Sequence, residues 1–189
     1  MNASYIRNLN QTESLMKVTF ILLLSILSVT TESFAHGPSR QKVVEKIVIN
    51  APIEKVWDSV KNFQNMNWHP AVMSTEGEGG NSIGAKRTLT LGPGATIVES
   101  LEKYIPAQHK FFYRIIDVDT AVIPINNYSS WFKLNETSEG HTEITWQGAF
   151  YRGYMNNNPP ENLNDKAAIA AVTSIYVSGL SELKKILEE

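Results

Sequence analysis

Hydrophobic positions recur along this chain with two periods. Over 42–50 (KVVEKIVIN) apolar and polar residues alternate and Val and Ile dominate, which predicts a strand. Asn50 is placed to cap a following helix, with Pro52 in its first turn. IEKVWDSVKNF then sets Ile53, Val56, Trp57, Val60 and Phe63 at helical spacing, so one face of that helix is expected to be buried. Pro70 cannot continue a helix and pushes His69 towards extended geometry, so Trp68-His69 reads as a helix-to-strand corner.

Strand patterns follow at about 72–79, 84–91, 95–104, 109–118, 127–136 and 141–151. The stretches EGGNSIG, GPG, IPAQ and NETSEG punctuate them. Connections this short imply antiparallel hairpins, because parallel strands need long crossovers. The polar stretch NNNPPENLND reads as a loop, and about 161–188 as a helix with Ala168, Val172, Ile175, Gly179, Leu183 and Ile186 on one stripe. The order strand, helix, six strands, long helix gives an α+β fold, a curved antiparallel sheet of six to seven strands wrapped around the C-terminal helix. One helix is not expected to fill a strongly bent sheet near its open end, so a cavity is expected there.

The first 35 residues have a different character. Lys17 precedes an apolar run from Val18 to Val29, and Ser33-Phe34-Ala35 ends it with small residues where a signal peptidase reads. The run is shorter than the roughly 20 residues of a membrane span. Residues 1–35 are therefore expected to be a removable signal, with residues 1–15 an over-extended start before Met16, and 36–189 the mature ligand-binding domain, periplasmic or secreted and without a stable membrane anchor. Composition adds exclusions. With 42% hydrophobic and 19% charged residues the chain can bury a core, and a net charge of −2 without a basic run argues against nucleic acid as partner. Cysteine is absent, which removes disulfides, thiolate metal sites and cysteine nucleophiles. Cleavage after Ala35 would leave His36 with a free amine, a copper-chelating pair, but no other histidine stands at ligand spacing and no metal site or cofactor is predicted.

Two residues stand out chemically. In TIVESLE the alternation places Glu99 on one face with Ile97 and Leu101, aiming a carboxylate inward. Burial would raise its pKa and suit it to orient a ligand hydroxyl or to act as a general acid or base. His69 at the corner suits the cavity rim and is placed to pair with Glu99 across the pocket. Around them, Tyr128 and Ser130 share a strand face with Phe132 and Leu134. Tyr113 shares one with Phe111 and Ile115, and Trp146 with Ile144, Gly148 and Phe150. An aromatic wall with a few hydroxyls fits an apolar small molecule. Gly179, costly inside a helix by about 1 kcal/mol relative to Ala, marks either close approach to the sheet or room for a ligand.

The ordered segments VINAPIEKVWDSVKNFQNMNWHPAV, GAKRTLTL, ATIVESLEKY, FFYRIIDVD, IPINNYSSWFKL and TEITWQGAF resemble the START-like, or Bet v 1-like (SRPBCC), helix-grip superfamily, nearest its polyketide cyclase/dehydrase-type branch. A signal ahead of such a domain is similar to the arrangement of MxaD-type periplasmic proteins of methanol oxidation. The resemblance implies a ligand cavity between sheet and terminal helix. By likeness to plant abscisic-acid receptors of this scaffold it puts a gate turn at Gly92-Pro93-Gly94 and pocket residues at Glu99, Tyr128 and Ser130. Their carboxylate-binding lysine falls on or near His69, and their latch is replaced by DTAVIPI. The expected ligand contacts are His69, Thr88, Pro93, Glu99, Tyr113, Tyr128, Ser130, Trp146, Ile175 and Gly179, with Glu99 and His69 the candidates for any catalysis. Three readings stay open. The chain is a carrier of a hydrophobic or amphipathic small molecule, a cyclase or dehydratase, or an accessory protein of a periplasmic redox enzyme.

Overall fold

The computed structural model describes residues 37–189 apart from Pro93. The predicted leader, the candidate N-terminal His36 and the central residue of the predicted gate turn lie outside the described residues. Seven strands form one sheet: β1 (Gln41–Ile49), β2 (Val72–Glu78), β3 (Lys86–Leu91), β4 (Thr96–Ile105), β5 (Lys110–Val118), β6 (Ile125–Glu136) and β7 (Thr142–Arg152). Helix α1 (Ile53–Val60) follows β1, and helix α2 (Asp165–Glu188) ends the chain. The sheet order is β1-β7-β6-β5-β4-β3-β2, every pairing antiparallel. The fold is the α+β helix-grip arrangement expected, with seven strands around the C-terminal helix.

The first and last strands are neighbours, and α2 runs along both. Bulges interrupt the pairing of β2 with β3, of β4 with β5 at two places, and of β6 with β7. Each adds twist and bends its strand, which is how a seven-stranded sheet curls enough to wrap a helix. At the last bulge Asn127 takes a left-handed backbone (φ 48°), and β6 begins two residues earlier than the sequence pattern suggests. Pairing of β5 with β6 extends only from Lys110↔Lys133 to Arg114↔Ser129. Beyond it the strands part, leaving a slot of about 230 Å³ between Ile115–Val118 and Ile125–Tyr128.

Both helices depart from expectation at their ends. Asn50 does not cap α1; Pro52 holds the cap position without a side-chain bond, and the Asn50 backbone N–H donates to Glu188 Oε1 at 2.6 Å instead. Residues 161–163 form a single 3-10 turn, and α2 starts only after Asn164, whose Oδ1 accepts from the Ala167 N–H at 2.9 Å. The buried stripe of α2 is Ala168, Val172, Tyr176, Gly179, Leu180, Leu183 and Leu187. Ile175 is only half-buried and Ile186 is 49% exposed, so the stripe is turned from the predicted one by about one residue in each half. Tyr176, not Ile175, sits at the centre.

Replacing Asn164 by Ala removes the one side-chain cap of α2, and a loss of about 1 kcal/mol is expected. A urea titration should show the midpoint falling with the slope unchanged.

Candidate ligand site

The site is built from the concave face of the sheet, the corner before β2 and the middle of α2. Strand alternation turns Ala85, Arg87, Leu89 of the β3 segment and Ile97, Glu99, Leu101 of β4 into the interior, all of them buried. Thr88 is on the opposite face, half-exposed and paired with Val98, so it contacts nothing in the interior; its neighbour Arg87 does. Arg87 was missed because a cation in a strand is ordinarily an outward residue. The turn GPG carried the signal that would have found it. A hairpin centred on residue 93 sets 87 opposite 99, and Arg87↔Glu99 is the observed register.

Arg87 Nε–H donates to Glu99 Oε2 at 2.5 Å, and its Nη1–H to the Phe63 carbonyl at 2.7 Å. The guanidinium lies 4.3 Å from the Phe63 ring centroid and 5.4 Å from that of Tyr113. Both charges are nearly inaccessible, at 4% each. Burial pushes the Glu99 carboxyl above its ordinary value, and Arg87 opposes that rise. No hydrogen bond from the described residues reaches Oε1, the oxygen left to the cavity that Glu99 lines.

His69 does not pair with Glu99. Its Nδ1 accepts the Ala71 N–H at 3.1 Å, which places the ring proton on Nε2, and Nε2–H donates to the Ile175 carbonyl at 2.9 Å. Both nitrogens are therefore engaged in the neutral form. Burial lowers the imidazole pKa, and the Arg87 charge adds to that. This ring is not the cation that the receptor lysine supplies. It is a strut from the corner to α2, and Gly179 makes room for it. A Cβ at residue 179 would overlap His69 Cδ2, stand 2.7 Å from Nε2 and lie 3.2 Å from Trp146 Cζ3. Close approach, not ligand space, is the reason for this glycine.

The hydroxyls form one directed chain. The Gln147 carbonyl can only accept, so Ser130 Oγ donates to it (3.1 Å). Ser130 must then accept from Tyr176 (3.1 Å), Tyr176 from Tyr128 (2.5 Å), Tyr128 from Tyr113 (3.3 Å) and Tyr113 from Trp146 Nε1–H (3.0 Å). Every donor has one acceptor, so no proton of the chain is left for a guest. Burial pushes Tyr113 up to about 12 and Tyr128 and Tyr176 well above their ordinary value, so all three stay protonated. Gly148 is part of this packing, since a Cβ there would overlap the Tyr176 hydroxyl.

What remains open is small. A cavity of about 50 Å³ is bounded by His69, Glu99, Tyr113, Tyr128, Trp146 and Ile175 of the predicted set, together with Tyr176 and apolar residues including Leu89, Leu91, Ile97 and Ile123. Ser130 and Gly179 pack beside these residues but do not line the space. The bent sheet is more completely filled than expected, because the tyrosine chain, Phe63 and Trp146 occupy its centre. The volume is enough for about three to five waters at 10–15 Å³ each. It is far below the 300–1,000 Å³ of typical small-molecule pockets.

A family model described as polyketide cyclase / dehydrase and lipid transport matches residues 40–188. Among solved structures, XoxI from Bacillus cereus is 27% identical with a TM-score of 0.66, over 77% of this chain and 94% of that one. A protein from Nitrosospira multiformis is 25% identical (TM-score 0.64, 78% and 96% covered), and an uncharacterised protein from Bacillus thuringiensis 26% (0.67, 79% and 100%). No curated protein matches the chain.

Two outcomes test this geometry. Gly179→Ala should destabilise by about 1–3 kcal/mol despite alanine's better helix propensity, because the added methyl displaces a packed ring. In a His69→Ala background the same change should cost clearly less, and a double-mutant cycle by chemical denaturation reads the coupling. The second concerns pH. The His69 pKa is depressed in the folded state, so the unfolded chain takes up the proton first. Its stabilisation is full above the unfolded value near 6.5 and is lost as pH falls through the folded value. The stability difference between the parent and His69→Gln should shrink over that acid window and stay flat above pH 7.

Proposed function

Because this chain belongs to the polyketide cyclase / dehydrase and lipid transport family, we propose that it holds a small, largely apolar molecule in the cavity between β3–β5 and α2. The molecule carries at least one hydrogen-bond donor, a hydroxyl or an amide, directed at Glu99 Oε1. The observation that carries this reading is that one oxygen, unpaired within the protein on a nine-tenths-buried carboxylate, faces a space otherwise walled by hydrocarbon and engaged hydroxyls. A guest that donates there makes a hydrogen bond to a charged group, worth roughly 1.5–3 kcal/mol. Leu89, Leu91, Ile97 and Ile123 supply the apolar contact.

Carrying is favoured over catalysis by the state of the other titratable groups. Acid–base turnover needs a second group to receive or return a proton, but both nitrogens of His69 are occupied and the tyrosine protons are committed along their chain. A guest larger than a few atoms requires the wall to yield. The 119–124 loop, which drops Ile123 into the space, is the segment we expect to do so. We also propose export, with residues 1–35 removed, on the strength of the leader pattern.

Native mass spectrometry of the protein purified from its own host reads both proposals at once. The expected spectrum shows a chain starting at His36 with a bound small molecule that is recovered chemically unchanged. At a hundredfold excess over its dissociation constant that molecule should stabilise the protein by about 2.7 kcal/mol. Glu99→Gln should weaken it by about tenfold, the loss of one buried hydrogen bond. A protein that emerges empty, and whose melting temperature responds to the recovered or added candidates equally with and without Glu99→Gln, would sink the cavity reading. Release of a transformed product would replace it with the cyclase or dehydratase.

A further inference from the structure

The convex face of the sheet, turned away from α2, carries a feature unrelated to the cavity. Phe112 and Trp131 are cross-strand partners, with ring centroids 5.0 Å apart, on the face opposite the buried Phe111, Tyr113, Ser130 and Phe132. Three lysines from three strands gather over the indole. Lys103 Nζ stands 5.7 Å from its centroid, Lys110 Nζ 5.7 Å and Lys133 Nζ 5.3 Å. Lys103 is also 5.9 Å from the Phe112 ring. Lys110 and Lys133 are directly opposite in register, an arrangement that like charges disfavour. Among the described residues no carboxylate lies within ion-pair distance of any of the three. The chain as a whole is slightly acidic, at −2, so this concentration of positive charge is local.

We propose that this patch is a docking site for an acidic protein surface, with Trp131 and Phe112 as its apolar centre and the three ammonium groups receiving carboxylates. The arrangement has the anatomy of a binding hot spot, an aromatic anchor enclosed by groups that can be desolvated together. Carboxylates placed between Lys110 and Lys133 relieve a repulsion that the free protein carries. A bilayer suits the patch less well. Insertion needs a continuous apolar face. Here the indole lies half-buried beneath lysine stems, and Val44, the exposed aliphatic in line with it across β7, stands two strands away, roughly 10 Å. Nucleic acid suits it less well too, since three cations around one ring make a spot and not a track along a phosphate backbone. The site is independent of any ligand in the cavity, because it sits where β4 and β5 meet their connecting turn, at the other end of β5 from Ile115 and the slot.

The test uses the full chain and an octaglutamate peptide, with tryptophan emission as the readout and Trp131→Phe to assign the signal. A saturable change is expected that weakens as salt is added. Lys110→Glu combined with Lys133→Glu should weaken the peptide by about tenfold or more, while Lys42→Glu combined with Lys86→Glu, an equal change in net charge elsewhere, should alter it by less than about twofold. Circular dichroism establishes that each variant is folded. Absence of a saturable signal, or equal weakening by both pairs, overturns the proposal. So does tighter binding of the parent to phosphatidylglycerol vesicles or to a thymidine oligonucleotide than to the peptide, each naming a different partner class.

Discussion

Gly179 and His69 decide how closely the sheet can close on its helix. The imidazole occupies the notch that a missing Cβ leaves on α2, donates to the carbonyl one turn back at Ile175, and is held from behind by the Ala71 N–H. That single strut joins residues 106 positions apart and ties the corner before β2 to the centre of the last helix. With the corner fixed, Trp68 packs against Phe132 and Trp146, and Trp146 stacks on Tyr176 at 4.3 Å. The interior then closes down to the small space that remains. A larger residue at 179 would force the helix outward or expel the ring, and either change would reopen the centre of the fold.

Closure of this kind puts a heavy demand on polar groups, because every one drawn inside must find a partner there. The tyrosine chain meets it by ordering: a carbonyl at one end and an indole N–H at the other fix the direction of every hydroxyl between them. Arg87 and Glu99 meet it by pairing, at the desolvation cost that buried ions carry. Arg87 is further held by the Phe63 carbonyl and by two aromatic faces, so the cation is better supported than the anion. The imbalance falls on one atom, Glu99 Oε1. Among the groups lining the cavity, hydrogen-bonding capacity is thus left at that one oxygen.

The strands were legible in the sequence because a half-buried strand alternates, and bulges shift its ends without erasing that alternation. β1, read as 42–50, is Gln41–Ile49, and β7, read as 141–151, is Thr142–Arg152. The inward aim of Glu99 was legible for the same reason. What could not be read were features created by partners distant in the chain. The predicted stripe took Ile175 and passed over Tyr176, whose place in the core rests on hydrogen bonds to Tyr128 and Ser130, 48 and 46 residues away, and on stacking against Trp146. His69 looked like a rim group facing a carboxylate, and its true acceptor lies on a helix that local pattern does not connect to it. Asn50 looked like a cap because its neighbours suit one, yet its backbone is taken by Glu188 at the opposite terminus.

The same difference separates the two surfaces on which function can rest. The concave side is made of groups that already have partners in the chain, so a guest there competes with the protein's own packing and must be small or must move a loop. The convex side around Trp131 is the reverse. Its lysines come from three strands and face one another, and among the described residues they have an aromatic ring but no anion. Within the fold that arrangement holds together through the modest attraction of cations for an indole face, against their mutual repulsion. The interior pairs its charges Arg87 and Glu99 with each other, whereas the three lysines around Trp131 have no anion within ion-pair distance among the described residues. An interaction that needs no internal rearrangement is therefore more readily made outside than inside, and the two can operate without reference to each other.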